Sequence, residues 1–163
     1  MNKRFAVCLF FILLIFPLAG CISSRYASAP TVLDKQRILQ LVNEARTRGC
    51  RCGGQCMAPV EPVRWNSQLE SAAQQHSNFM RRKNRLSHTG SGFSNVGKRV
   101  TQEGYTWFTV GENIAVGQTS EEEVMESWLK SAGHCANIMN PKFKEMGVAT
   151  AGAYWTQVFA ASR

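Results

Sequence analysis

Three side chains in this chain can do chemistry together: those of His88, Glu112 and His134. Two imidazoles and a carboxylate are able to hold Zn²⁺ while one position stays open for a water molecule. Glu112 stands between apolar residues, where a free charge is costly to bury, so we expect a partner such as a histidine, a metal ion or backbone N–H groups. The chain has a single aspartate, Asp34, which nearly excludes a Ser-His-Asp relay.

The polar residues near these three admit a structural interpretation as well as a functional one. His76 falls on the apolar face of a predicted helix, which favours a core histidine that donates to a backbone carbonyl. His88 lies in a loop rich in serine and glycine, without a packing reason to be there, which favours a site. His134 follows Gly133 at a predicted helix end, where a cation can satisfy the terminal carbonyls instead. The polar residues that accompany them are Asn113, Ser131 and Gln157.

Hydrophobic periodicity and turn residues predict the elements that must position these side chains. Helices are predicted over residues 33–48, 67–85, 96–103 and 120–132. Capping boxes at Ser67 and Ser120 indicate where two of them begin. The segment WFTVGENIAVG predicts a strand, and two β-rich stretches joined at Ala151–Ala153 predict a hairpin. This order predicts an α+β fold in which helices pack on both faces of a small sheet.

The first residues predict export and lipid anchoring. Lys3 and Arg4 precede an apolar run and the small-residue segment Leu-Ala-Gly-Cys, which ends at Cys21. This layout is typical of a signal peptide over residues 1–20, and the run is too short for a stable transmembrane helix. The ending resembles the lipobox of bacterial lipoproteins. We therefore expect Cys21 to be lipidated and residues 21–32 to form the membrane anchor and a tether.

The predicted location in the cell and the net charge limit the possible partners of the remaining domain, residues 33–163. Ile22 follows Cys21 in place of the aspartate that resembles an inner-membrane retention signal, which favours the inner leaflet of the outer membrane, facing the periplasm. Basic residues exceed acidic ones by 19 to 11 and are scattered, apart from the run MRRKNR at Met80–Arg85. A nucleic-acid partner is excluded outside the cytoplasm, so the membrane is the expected partner.

The cysteine count predicts disulfide bonds in the exported domain. Of six cysteines, Cys8 leaves with the signal peptide and Cys21 takes the lipid. The four cysteines that remain are Cys50, Cys52, Cys56 and Cys135, and four cysteines allow three pairings. A bridge from the first three to Cys135 would stabilise the fold most, because it closes a loop of about 80 residues. The alternative is a zinc knuckle of CRCGGQC with His134, whose ligand spacing is poor.

Several motifs occur together in the order seen in one known family. They are RWNSQLESAAQQHSNFM, LSHTG, GYTWFTVGENIAVGQ, WLKSAGHCANIMNPKFKEMGVA and YWTQVF. The chain resembles the CAP superfamily, whose SCP domain occurs in cysteine-rich secretory, antigen 5 and pathogenesis-related proteins, over Leu33 to Phe159. The resemblance implies an α-β-α sandwich with a small central antiparallel sheet. It also implies a cleft that two histidines and two glutamates line in eukaryotic members, where a divalent metal ion can bind.

Only half of that set carries over to this sequence by position. His88 and Glu112 match, although the insertion Thr89–Gly111 separates them. Ser131 stands at the position of the second glutamate, and aromatic residues stand where the last histidine belongs. His134 is a histidine of the bacterial form that can refill the cleft. The resemblance further implies a Cys52–Cys135 bridge, which leaves Cys50–Cys56 as a local pair.

These observations favour a lipid-anchored envelope protein whose domain is a non-enzymatic ligand-binding or interaction module. Its ligand would be a lipid or a peptide, bound in a cleft formed by His88, Glu112, Asn113, Ser131, His134 and Gln157. The alternative is a metal-dependent hydrolase in which His88, His134 and Glu112 ligate Zn²⁺, but the chain has no His-Glu-x-x-His helix or nucleophile elbow. A third hypothesis makes the cluster structural, with Glu112 bonded to both histidines.

Overall fold

Two layers of helices enclose a four-stranded sheet in the computed structural model, which describes residues 32–163. The predicted signal peptide, Cys21 and all but the last residue of the predicted tether lie outside the described residues. The helices are α1 Lys35–Arg48, α2 Ser67–Lys83, α3 Val96–Gln102, α4 Glu121–Lys130 and α5 Ala132–Ile138. The strands are β1 Cys50–Cys52, β2 Gln55–Met57, β3 Arg64–Trp65, β4 Trp107–Val116, β5 Glu145–Ala151 and β6 Tyr154–Ser162. A short 3-10 turn covers Ser91–Phe93.

The central sheet has the strand order β3-β5-β6-β4, and its pairs are antiparallel except for the two-residue contact between β3 and β5. Strands β5 and β6 form the hairpin predicted at Ala151–Ala153. Gly152 in its turn has φ +57°, a conformation that glycine adopts without a steric penalty. Strand β4 pairs with β6 and leaves its other side as an edge of the sheet. The candidate site residues gather around this edge.

Alternate residues of β6 point into the two helical layers, as the period of a strand requires. Val158 and Ala160 pack against α2 and α3 on one face. Trp155 and Phe159 pack against α1, α4 and α5 on the other face. The fold is therefore α+β, with a small and mainly antiparallel sheet between two helical layers, as predicted.

The helix ends agree with one predicted cap and differ at two other points. Ser120 caps α4 as expected, and its hydroxyl accepts from a backbone N–H three residues later. The cap of α2 is Asn66 rather than Ser67, because the Asn66 side chain accepts from two backbone N–H groups of the first turn. The helix predicted to reach residue 132 stops at Lys130, since Ser131 is extended and α5 begins after it. His134 thus lies inside a helix and does not cap one.

One disulfide, Cys52–Cys135, joins the β1–β2 hairpin to α5 and confirms the predicted long-range bridge. The predicted Cys50–Cys56 bridge is not formed, and both residues are free thiols. The hairpin register gives the reason. Cys56 pairs with Arg51 and points to the same face as that residue, whereas Cys50 points to the opposite face with Cys52. The Cys50 sulfur instead lies 3.6 Å from that of Cys135.

The part of the chain that the structure describes encloses its own core. Three clusters of buried hydrophobic residues lie within it, and each is built from elements between α1 and β6. A soluble chain that begins at Ser23 therefore contains what it needs to fold. Among residues 32–163, none of the helices combines the length and the apolar character required to cross a membrane.

Candidate functional site

Glu112 is the buried centre of a charged cluster on the α2–α3 face of the sheet. It belongs to β4, where it pairs with Val158, a residue of the core between the sheet and α2. Its Oε2 accepts from Nη2 of Arg99 at 2.5 Å, and its Oε1 accepts from Nδ1 of His88 at 2.8 Å. Nε2 of His76 lies 3.9 Å from Oε1. Both carboxylate oxygens thus accept hydrogen bonds from cationic or polar partners, which a buried charge requires.

Arg99 is the residue of this cluster that the sequence reasoning missed. It belongs to α3, which the insertion between His88 and Glu112 supplies, and it is 3% exposed. Besides Glu112, its Nη1 donates to the carbonyls of Ser94 at 2.8 Å and His88 at 3.3 Å. The sequence offered one signal for Arg99. This basic residue stands beside the apolar residue Val100 in a predicted helix, and the carboxylate of Glu112 needed a buried partner. An arginine fits there because its planar donors can bridge several acceptors at once.

His76 and His88 differ in both burial and pKa. His76 is fully buried, and its Nε2 donates to the Ser87 carbonyl at 2.7 Å, which confirms the predicted core histidine. Burial lowers its pKa, although the negative charge of Glu112 opposes that shift. His88 has a half-exposed side chain, and its hydrogen bond to Glu112 raises its pKa. Because a carboxylate only accepts, Nδ1 of His88 carries the proton, and the neutral ring keeps Nε2 as an acceptor toward solvent.

Asn113 belongs to a separate amide network on the opposite face of the sheet. Its Nδ2 donates to Oε1 of Gln157 at 2.9 Å and to the His134 carbonyl at 3.1 Å. Its Oδ1 accepts from Nδ2 of Asn137, which also donates to the backbone carbonyl of Glu112 at the sheet edge. Asn113 and Gln157 are fully buried. These amides hold α5 against β4, so they act within the fold and do not line an open cleft.

His134 and Ser131 lie at the start of α5, near the same sheet edge. Both are partly buried, and the Ser131 side chain makes no capping hydrogen bond. Burial lowers the pKa of His134, and the positive charge of His88 lowers it further. The backbone carbonyl of His134 accepts from Nδ2 of Asn113, which places the start of α5 against β4 on the face opposite to Glu112. Of the predicted cleft residues, His88, His134 and Ser131 retain side-chain surface for a ligand.

The three predicted zinc ligands do not fit a metal centre in this arrangement. In the described residues, the only group of three histidine, cysteine or acidic side chains with ligand atoms within 4.8 Å of one another is Cys50, Cys52 and Cys135. His88, Glu112 and His134 are not such a group. The physical reason is that Arg99 and His88 occupy the Glu112 oxygens on the α2–α3 face, while His134 belongs to α5, which packs on the other face. The cysteine group contains the disulfide and lacks the thiolates that a zinc knuckle needs.

Comparisons with known proteins agree with the fold and with the motifs. The model of the cysteine-rich secretory protein family, CAP, matches residues 39–159. The Bacillus subtilis protein YkwD is 31% identical over 136 residues, which are 81% of this chain and 49% of that protein. The membrane protein YlbC of the same organism is 29% identical over 136 residues, 83% of this chain and 36% of that protein. The chain thus spans about half or less of the length of these curated relatives.

Solved structures show the same architecture. An extracellular protein of Bacillus anthracis that contains an SCP domain aligns with a TM-score of 0.69 and 28% identity, over 78% of this chain and 40% of that one. An outer surface protein of Borrelia burgdorferi aligns with a TM-score of 0.66 and 15% identity, over 78% and 92% of the two chains. The shared sheet, the helical layers and the family match lead to one conclusion: this chain belongs to the CAP family of cysteine-rich secretory proteins.

Proposed function

We propose that this protein is a lipid-anchored component of the bacterial envelope whose CAP domain binds a ligand and does not catalyse a reaction. The ligand is a lipid or a peptide that contacts His88, His134 and Ser131 at the edge of β4. The buried residues Glu112 and Asn113 shape this edge from the two sides of the sheet. The alternative is a metal-dependent hydrolase that uses the same histidines.

The occupied carboxylate of Glu112 is the observation that carries the non-catalytic proposal. The metal-dependent hydrolase considered as the alternative uses Glu112 either as a metal ligand or as a base toward a bound water. Arg99 and His88 take one oxygen each, and the side chain is 2% exposed. Both oxygens of this buried carboxylate are already engaged by Arg99 and His88, which leaves it poorly placed to ligate a metal ion or to activate a water molecule. The cluster therefore serves to fix the loop that bears His88 onto the sheet.

The proposed cellular location rests on the first residues of the sequence and on the described locations of two proteins of the same fold. The signal layout and the lipobox-like ending at Cys21 favour a diacylated cysteine, and two chains give stable anchoring where one is marginal. The Bacillus anthracis and Borrelia burgdorferi proteins of the same fold are described as an extracellular and an outer surface protein. In a host with an outer membrane, the inner leaflet of that membrane is the proposed location, with the domain in the periplasm.

Metal content measured by mass spectrometry tests the non-catalytic proposal. The soluble chain from Ser23 is purified without an affinity tag, dialysed against zinc and compared with His88→Ala and His134→Ala. We expect the same background level of zinc in all three proteins, because the ligand atoms do not converge. Near-stoichiometric zinc that disappears in both variants would overturn the proposal and favour the hydrolase.

The ligand and the anchor are tested separately. Native mass spectrometry of the soluble chain after its expression with an export signal should show a retained lipid, or a bound peptide when a peptide library is added. Either complex should weaken in the His88→Ala/His134→Ala double variant and persist in Lys142→Ala, which changes an exposed residue outside the edge. In cells, Cys21→Ser should abolish incorporation of labelled fatty acid. Wild-type protein that is bound to the membrane but carries no labelled fatty acid would contradict the predicted anchor.

A further inference from the structure

Three sulfur atoms meet where the β1–β2 hairpin packs on α5. The Cys50 sulfur lies 3.6 Å from the sulfur of Cys135 and 3.8 Å from that of Cys52, and these two residues form the bridge. Cys50 itself is a free thiol. A disulfide is exchanged when a thiolate attacks one of its sulfurs, so a third thiol at contact distance competes with the two bridged cysteines for a partner.

The register of the hairpin decides which free thiol reaches the bridge. Cys50 and Cys52 are two residues apart in β1, so their side chains point to the same face, on which Cys135 lies. Cys56 pairs with Arg51 and points to the opposite face, where its sulfur accepts from Nη1 of Arg51 at 3.2 Å. The two free thiols of the hairpin therefore differ in position, and Cys50 is the one beside the bridge.

The three cysteines also differ in their exposure to solvent. Cys135 is fully buried and Cys52 is 6% exposed, whereas Cys50 is only partly buried. A reagent that arrives from the solvent thus meets Cys50 more readily than it meets the two residues of the bridge. Cys50 connects a shielded disulfide to the surface of the domain.

The hairpin can supply the motion that an exchange requires. The Cys50 sulfur is nearly equidistant from the two bridged sulfurs, so it lies beside their bond and not in line with it. In-line attack therefore needs a rotation of the Cys50 side chain or a small shift of the hairpin. Within the described part of the chain, β1 and β2 pair only with each other, and an isolated two-stranded hairpin is marginally stable. Such a segment opens locally at a low cost in free energy.

The environment of Cys50 makes the exchange slow. Burial raises the pKa of the Cys50 thiol, so a small fraction of it is thiolate at neutral pH. A thiolate with a raised pKa is in turn a stronger nucleophile. The exchange is therefore expected on the timescale of uncatalysed disulfide rearrangement, which is minutes to hours.

We propose that Cys50 is a thiol–disulfide exchange site through which an external dithiol reaches the buried bridge. The Cys50 thiolate attacks the nearer sulfur, that of Cys135, forms a Cys50–Cys135 bond and releases Cys52 as a thiolate. One thiolate of the external dithiol then attacks the Cys50 sulfur, and Cys135 leaves. The second thiol of the dithiol attacks this mixed disulfide, closes the disulfide of the reagent and restores the Cys50 thiol.

The sequence of steps is balanced. The external dithiol gives up two electrons and is oxidised to a disulfide, while Cys52 and Cys135 are reduced. The two protons that the dithiol loses are taken up by the thiolates of Cys52 and Cys135, and Cys50 is regenerated. The site needs no metal ion. It depends neither on the ligand proposed for the edge of β4 nor on the anchor at Cys21.

The rate of bridge reduction tests the proposal. The oxidised soluble chain from Ser23 is incubated with dithiothreitol under native conditions and quenched at intervals with acidic N-ethylmaleimide, and mass spectrometry counts the thiols. In Cys50→Ser we expect reduction at least about tenfold slower than in the wild-type protein, because direct attack on the buried bridge must await local opening of the hairpin. Equal rates in the two proteins would overturn the proposal.

A matched control removes the other free thiol. Cys56→Ser changes a cysteine of the same hairpin that points away from the bridge, so it should be reduced at the wild-type rate. Melting temperatures without reductant verify that both variants keep the bridge and the fold. If Cys56→Ser is slowed as much as Cys50→Ser, the effect does not come from the position of Cys50, and the proposal fails.

A second pair of variants tests the alternative bridge directly. Cys52→Ser/Cys56→Ser retains Cys50 and Cys135, whereas Cys50→Ser/Cys52→Ser retains Cys56 and Cys135. In a glutathione redox buffer the first should form a Cys50–Cys135 bridge, detected as a linked peptide after digestion at acid pH, and the second should form no bridge. The absence of a linked peptide from both would exclude Cys50 as a partner of Cys135. Linked peptides from both would show that the position of Cys50 is not what selects it.

Discussion

The side chains of Glu112 and Asn113 lie on opposite faces of the central sheet, although the two residues are consecutive in β4. Glu112 enters the layer of α2 and α3, where Arg99 and His88 bind it. Asn113 enters the layer of α5, where it binds Gln157. Strand alternation imposes this separation. A residue set that looks like one cleft in the sequence is therefore two networks on either side of one sheet edge.

Loss of the arginine from the charged cluster should be costly. We expect Arg99→Met to lower the free energy of unfolding by about 3–5 kcal/mol, because Glu112 would remain buried with only His88 as a partner. Urea unfolding followed by circular dichroism measures the change. The surface pair Lys130–Glu126 provides a control, since Lys130→Met should cost no more than about 1 kcal/mol.

A double variant decides whether this cost comes from the unpaired charge. Arg99→Met/Glu112→Gln removes the arginine and the buried carboxylate together, so it should be more stable than Arg99→Met alone. If the double variant is as unstable as the sum of its single variants, the two residues are not coupled, and the cluster does not fix the loop as proposed.

The histidines should titrate in a predictable order. NMR titration of the three imidazoles is expected to give a pKa above the usual value of about 6.5 for His88 and pKa values below it for His76 and His134. In Glu112→Gln the pKa of His88 should fall toward its usual value, because its hydrogen bond to the carboxylate is the main cause of the shift. An unchanged pKa would contradict that cause.

These shifts fix the sign of the pH dependence of stability. His88 stabilises the fold fully below about pH 6.5, and this contribution is lost as the pH rises through its raised pKa. His76 and His134 act in the opposite sense. Their contribution is present above about pH 6.5 and is lost as the pH falls through their lowered pKa values. Thermal unfolding of the wild-type protein and of His88→Gln, measured at pH values on either side of about 6.5, gives the contribution of His88 to the pH dependence of stability.

The long-range disulfide should carry a large share of the stability under oxidising conditions. We expect loss of the Cys52–Cys135 bridge, as in Cys135→Ser, to cost about 2–5 kcal/mol, because it closes a loop of 83 residues in the unfolded chain. The comparison is best made in a Cys50→Ser background, since the Cys50 sulfur lies next to the bridge and can exchange into it. Cys56→Ser is the control and should be neutral. A melting temperature that reductant does not change would contradict the bridge.

The packing of α2 on β5 depends on a glycine. A Cβ on Gly147 would overlap the backbone of Leu69 and Glu70, so Gly147→Ala should destabilise the protein by about 1–3 kcal/mol or more. Gly133 provides the matched control in α5, where a Cβ meets nothing within 4 Å. Gly133→Ala should be neutral or stabilising by up to about 1 kcal/mol. Equal thermal stability of the two variants would mean that α2 can shift away from the sheet.

The sequence by itself determined the family, the α+β class, the final hairpin and the long-range disulfide. These rest on local patterns or on motifs that survive without knowledge of the contacts. A composition rich in β-forming residues marks β5 and β6, a glycine marks their turn, and the apolar stripe of α2 places His76 in the core. The lipid anchor at Cys21 rests on the sequence alone, and it stays a prediction.

Only the tertiary structure decided how the polar residues are shared between partners. Arg99 and Glu112 are thirteen residues apart, and no local rule pairs them, because their contact depends on how α3 packs on the sheet. The faces of the β1–β2 hairpin likewise separate Cys50 from Cys56, although their spacing allows a bridge. The separation of two residues along the sequence tells whether their side chains can reach each other. The direction in which it points comes from strand register and helix packing, which depend on contacts across the whole chain.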